Sequence, residues 1–282
     1  MSEASAAEVS PQPSGPALGV IDAMRMGWRL LMSDFWMLWL LALVLFAVML
    51  GVGLVSCCLL CLAPLVAFFV HPPLEAGLFK ALKGRIDGAA VNFNDLFAAF
   101  PECYWQAVLA GLPAMAIDGA MQMVQLPVRI AAQFAEPLSR ELHYPAEVLI
   151  PVLLGVVGVA LLLIVALVIF QLFFAFSLLA IWDRKESGVE AIKISMRLVK
   201  GHFWSVLGLS LLFVPIGIAA AIVGALACLV GLLITLPAVA VWHKITLVYL
   251  YRSWTGQPLV QPLPAAATPD AFAPPEGTPP EV

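Results

Sequence analysis

Two histidines, two carboxylates, a lysine and an amide are the side chains of this sequence that could do chemistry away from water. They are His71, Glu75, Asp118, Gln171, His243 and Lys244, and each falls within or at the margin of a long apolar run. His71 and Glu75 are four residues apart and so share one helical face. A carboxylate beside an imidazole can relay a proton or meet a lipid head group. Ionisable groups surrounded by hydrocarbon are expensive to keep there, which makes them functional-site candidates by default. Asp118 shares a face with Ala110, Ala114, Gln122 and Gln125, the small-and-polar kind of face that turns into a helix bundle. Each observation also has a blander reading, and the blander one is commoner. Asp118 would then sit near the outer interface of a short span, and the other five would reach the cytoplasmic surface and anchor their helices.

Other chemistry is thinly represented. The chain has no Gly-rich phosphate loop with its lysine, no His-Glu-x-x-His and no Gly-x-Ser-x-Gly. Cys58-x-x-Cys61 lacks the further nitrogen and sulfur donors that a zinc site needs. Cys57, Cys58 and Cys61 fall at the same outer end as Cys228, where they could pair across two hairpins, although buried apolar thiols are the commoner case. His143 and His202 are expected at interfaces. No metal, cofactor or catalytic residue is expected, and the chain does not read as an enzyme. A basic stretch, Arg184, Lys185, Lys193, Arg197 and Lys200, could hold anionic phospholipid head groups.

The elements that must position these residues follow from composition. Of 282 residues, 62% are hydrophobic and 11% are charged; a soluble domain carries roughly 25% charged residues. Exposed to water, this much apolar surface would associate, whereas lipid removes the problem. A net charge of −4 gives no basic field for nucleic acid. A span needs about 20 apolar residues, and six such stretches fit: 35–55, 58–80, 104–125, 148–182 and a pair within 203–251 that turns near Gly224 to Gly231. Pro72 and Pro73 should break the second span, and Ser33 or Asp34 can cap the first. The expected fold is all-α, a polytopic bundle of about six transmembrane helices, because open strands leave backbone groups unpaired in hydrocarbon.

Arg25, Arg29, Lys80, Lys83, Arg85, Arg252 and the five basic residues between spans four and five fall on one side of a six-span arrangement. That side is expected to be cytoplasmic, with both termini there. Residues 1–18 and 257–282 read as disordered tails. Between them lie a first unit at 19–84, a central hairpin at 92–182 and a second unit at 188–256.

The two outer units look duplicated. Ile21-Asp22-Ala23-Met24-Arg25 matches Val189-Glu190-Ala191-Ile192-Lys193, and Phe35-Trp36 matches Phe203-Trp204, at a constant offset of 168. Ile21, Met24, Trp28 and Leu31 form one stripe and Val189, Ile192, Met196 and Val199 another. Each stripe suits an amphipathic helix lying in the membrane interface. After a small length change, His71, Phe79, Lys80 and Gly84 correspond to His243, Tyr251, Arg252 and Gly256. This is a parallel repeat of interfacial helix, span out and span back.

The stretch from Val189 to Ser195 and on to Gly201-His202-Phe203-Trp204 resembles a signature of bacterial multi-pass proteins. So do Glu75-Ala76-Gly77, Lys83-Gly84 and Asn94-Asp95-Leu96-Phe97-Ala98-Ala99-Phe100. The group is similar to the membrane domain attached to some glycerophosphodiester phosphodiesterases. The resemblance covers roughly residues 18–256 and implies a bacterial inner-membrane protein. Nothing here resembles the phosphodiesterase domain, so that activity and its residues do not carry over. The leading functional expectation is a non-enzymatic, lipid-associated or scaffolding component, with a protein partner or a second copy as possible companions. The other is a small transporter or channel with a polar path past Asp118 and the level of His71 and His243.

Overall fold

The computed structural model describes residues 18–58, 63–141, 146–184, 187–227 and 230–259. Among these the fold is all-helical. In chain order the elements are α1 (Val20–Ser33), α2 (Phe35–Cys58), α3 (Ala63–Ile86), the single turn α4 (Asn94–Phe97), α5 (Ala99–Glu141), α6 (Ala146–Leu172), α7 (Ser177–Arg184), α8 (Gly188–Leu226) and α9 (Val230–Thr255). Five stretches are long and apolar enough to cross a bilayer: Phe35–Val52, Ala99–Leu126, Val157–Asp183, Gly188–Leu226 and Gly231–Thr255. These suit a multi-pass membrane protein. The expected second span, 58–80, lies partly outside the described residues; its described part, in α3, carries Glu75 and Lys80. Its two prolines do not break it, and helix runs through both Pro72 and Pro73. The expected third span is overshot, with α5 continuing as helix to Glu141.

The amphipathic segments form, and the faces they bury in the protein are rotated from the expected stripes, of which only Leu31 and Val199 are fully buried. In α1 the buried residues are Ala23, Gly27, Leu30 and Leu31, while Ile21 and Trp28 are exposed. In the first part of α8 they are Gly188, Ala191, Ser195 and Val199, while Val189 is exposed. The reason is the solvent. In lipid there is no premium on hiding bulky apolar groups, and small residues let helices approach closely. A Cβ on Gly27 would stand 2.9 Å from Thr246 Oγ1 of α9, and one on Gly188 would stand 2.5 Å from the Gln106 carbonyl oxygen of α5.

Three helices begin their apolar runs after the same backbone break. Asp34 (φ −133°, ψ 43°) separates α1 from α2, Cys103 (φ −152°, ψ 35°) interrupts α5 and His202 (φ −131°, ψ 29°) interrupts α8. Each break is followed by an aromatic residue and a tryptophan: Phe35-Trp36, Tyr104-Trp105 and Phe203-Trp204. Neither proposed cap is used at the first break. Ser33 donates back to the Leu30 carbonyl, and the Asp34 carboxylate turns to Arg85.

The far turn of α8 and α9 falls where expected, with Gly231 close against Gly224. The first hairpin turns later than expected, since α2 stays helical through Gly51 and Gly53 to Cys58. The pairing proposed for Cys57, Cys58, Cys61 and Cys228 lies outside the residues whose side chains are described. At the other ends, α3 and α9 finish in matching caps. Gly88 (φ 87°) and Gly256 (φ 71°) take the left-handed conformation. Beyond them Ala89 N–H donates to the Gly84 carbonyl and Gln257 N–H to that of Arg252, each at 2.9 Å. Gly84, the expected counterpart of Gly256, lies inside α3 instead, one turn short of the cap.

Packing is uneven along the bundle. The fully buried side chains Leu74, Phe79, Leu82, Phe176, Leu179, Tyr249 and Tyr251 gather near these caps. Toward the opposite end Leu50, Leu54, Leu162, Leu211 and Leu226 are exposed, as lipid-facing residues should be. Ion pairs staple the charged end: Lys83 to Asp183 at 2.8 Å, Arg252 to Asp87 at 2.7 Å, Lys80 to Glu102 at 2.7 Å, and Arg85 to Asp34.

Candidate functional site

The six polar residues named from sequence line one cavity of about 660 Å³. α3 supplies His71 and Glu75, α5 Asp118, α6 Gln171, and α9 His243 and Lys244. Its volume lies within the range of about 300–1,000 Å³ usual for small-molecule sites.

Close packing of small residues sets the geometry. α3 meets α5 where Pro72 lies against Gly111, at 2.5 Å from where a Cβ on that glycine would stand. This aligns His71 and Glu75 with Asp118 across the gap. Gln171 lies in the last turn of α6, just before a break between α6 and α7. Residues Phe173 to Ser177 leave the α-helical pattern for tighter turns. Two serines satisfy the backbone there: Ser195 accepts from Phe176 N–H at 3.1 Å and donates to the Phe173 carbonyl at 2.7 Å, and Ser177 donates to the Ala110 carbonyl at 3.1 Å. Non-helical backbone at such depth is tolerated only with partners of this kind.

Inside the cavity the groups fall into two sets. Lys244 is paired with Glu75, which also has the His71 ring nitrogen 3.7 Å from its second oxygen. The Phe79 ring lies 5.1 Å from the Lys244 ammonium, and the His243 ring meets Phe213 at 4.8 Å. Asp118 stands apart. Its carboxylate accepts one hydrogen bond, from Gln171 Nε2 at 3.1 Å, and makes no ion pair among the described residues. It is open to the cavity rather than packed away. Apolar and aromatic side chains complete the walls, among them Phe46, Met49, Met115 and Leu236.

Depth can be counted along the helices. From Arg252 to Lys244 is eight residues, about 12 Å of helix, and from Glu102 to Asp118 is sixteen, about 24 Å. In a hydrocarbon layer of about 30 Å starting at the ion-paired end, Lys244 would lie near the middle and Asp118 toward the far face.

Among the described residues the basic stretch forms no such cluster. Lys193 pairs with Glu190 at 3.1 Å, and Arg197 and Lys200 are exposed on α8. The side chains of Arg184 and Lys185 lie outside those described. Sequence reasoning missed the ion-paired end. It used the basic residues for orientation alone, although Asp34, Asp87, Glu102 and Asp183 sit in the same short connections.

No protein-family model matches the chain, and neither a characterised protein nor a solved structure is detectably similar to it.

Proposed function

We propose that this chain is a non-enzymatic membrane protein that binds a small amphiphilic molecule in an intramembrane cavity, as a transporter does. One observation carries the reading: six polar side chains from four helices converge on a single cavity with apolar walls. A scaffold or a passive lipid anchor gives no reason for these residues to meet. A binding site does, since pockets combine apolar walls with a few convergent polar groups. The cavity is closed toward the ion-paired end by buried side chains such as Leu78, Phe79 and Leu247, which suits a vestibule with access from one side.

In this reading α3 is the sixth span, its polar side chains facing the cavity or the paired end. An even count puts both termini on the basic, cytoplasmic face of a bacterial inner membrane. The parallel repeat fits too. Asp34 and His202 break at an offset of 168, Gly88 and Gly256 cap at the same offset, and so do the buried Ala23 with Ala191 and Leu31 with Val199. These coincidences favour a register without a length change, in which Glu75 would be the counterpart of His243.

The test is purification of the full chain in native lipid, with mass spectrometry of whatever small molecules accompany it. A ligand retained by the parent and lost from monodisperse Asp118→Asn or Lys244→Met protein supports the reading. A ligand complement identical in all three overturns it.

A further inference from the structure

Resting on the cavity reading above, we propose that the ligand is an organic monocation with apolar substituents, a lipophilic amine or onium ion, whose charge is met by Asp118.

Charge accounting inside the cavity favours a cation. Glu75 and Asp118 are acidic, Lys244 is basic, and the two imidazoles carry no fixed charge. Lys244 is committed to Glu75, so its charge is answered within the protein. Asp118 accepts one hydrogen bond, from the amide of Gln171; the His71 ring and the Lys244 ammonium act on it through space, but both are paired with Glu75. An amide dipole donates one hydrogen bond but brings no compensating charge, and a carboxylate in an apolar-walled cavity calls for one. With His71 and His243 neutral, the cavity is left one positive charge short.

The walls fit the rest of such a molecule. Phe46, Phe79 and Phe174 line the cavity, and aromatic faces attract cations more strongly where water is excluded. Met49 and Met115 line it as well; their unbranched, polarisable side chains adapt to varied apolar shapes. An anionic ligand would have to displace Glu75 from Lys244 and would approach Asp118 with like charge. The cavity also opens among residues that face lipid, Phe46 and Leu236 among them, so a molecule dissolved in the bilayer can reach it.

Two ions of nearly the same size and shape decide the matter: tetraphenylphosphonium, a cation, and tetraphenylborate, an anion. Binding of each to the full chain in lipid nanodiscs is measured by equilibrium dialysis. Saturable binding of the cation is expected, weakened by about tenfold or more in Asp118→Asn and retained in Asp118→Glu, with no saturable binding of the anion. Should Asp118→Asn fail to give monodisperse protein, Met49→Trp replaces it; filling the cavity without altering its charge is expected to abolish cation binding. Equal or tighter binding of the anion, no saturable binding of the cation, or cation binding indifferent to these substitutions overturns the proposal. A neutral or anionic molecule co-purifying through Asp118 or Lys244 would also overturn it while leaving the broader cavity reading standing.

Discussion

Gln171 and Asp118, 53 positions apart in sequence, meet in a hydrogen bond of 3.1 Å that joins α6 to α5 in the cavity wall. Among the described residues it is the one hydrogen bond made by the Asp118 carboxylate, and Gln171 stands just before the break that follows α6. A double-mutant cycle with Asp118→Leu and Gln171→Leu should give a coupling of about 0.6 kcal/mol, the average for such bonds in membrane bundles. Thermal unfolding in detergent provides the readout, and additive single effects would mean that the two side chains do not hold one another.

Lys244 and Glu75 behave as a unit, each with about a quarter or less of its side chain exposed. Removing one member leaves the other charged in a poorly solvated site. Lys244→Met should cost about 3 kcal/mol, the low end for breaking a buried pair because some exposure remains. The double substitution with Glu75→Leu should recover most of that loss. Equal stability of the single and double variants would contradict the pairing.

Gly77 admits no side chain. A Cβ there would fall 1.9 Å from the Leu96 carbonyl oxygen and 2.8 Å from that of Asp95, both of them backbone atoms in or beside α4. Gly77→Ala must push α3 and α4 apart and should destabilise the protein by about 1–3 kcal/mol, as overpacking does. Gly51→Ala, where nothing lies within 4 Å, should be tolerated and serves as the control in the same melting experiment.

Much of this was legible in the sequence, and what was not has physical causes. The long uncharged runs announce helices in lipid, and the six polar residues stand out because hydrocarbon tolerates so few. The inward faces of α1 and α8 are illegible by the habits of soluble proteins, since Gly27 and Ala191 pack inward while Ile21 and Val189 face out. Pro72 suggests a break, yet it fits against Gly111, a partner 39 positions away that local sequence cannot announce. The break at Phe173 to Ser177 has no proline or glycine to mark it; its support comes from Ser195, on another helix.

That serine gives the fourth prediction. Ser195 is fully buried and serves both Phe176 N–H and the Phe173 carbonyl. Ser195→Ala leaves both without a partner and should cost about 1–3 kcal/mol. Because the break begins directly after Gln171, whose carbonyl accepts from Phe174 N–H, cavity binding should weaken as well, whereas Ser195→Thr should retain part of both properties.

Topology is open to chemical labelling. With the five native cysteines removed, single cysteines replacing Asp22 and Lys193 should react from the same, cytoplasmic side of intact cells. Reaction from opposite sides would mean an odd number of crossings before α8, and α3 would then not be a span.

The staples at the charged end limit how the bundle can breathe. Lys80, Lys83 and Arg85 of α3 reach Glu102 of α5, Asp183 of α7 and Asp34 beside α2, while Arg252 of α9 reaches Asp87 just beyond α3. α3 is therefore a hub with its neighbours fixed to it like spokes at one rim. Helices held this way splay most readily at their unfastened tips, and under the proposed reading a ligand would enter there, from the bilayer, rather than past the stapled rim.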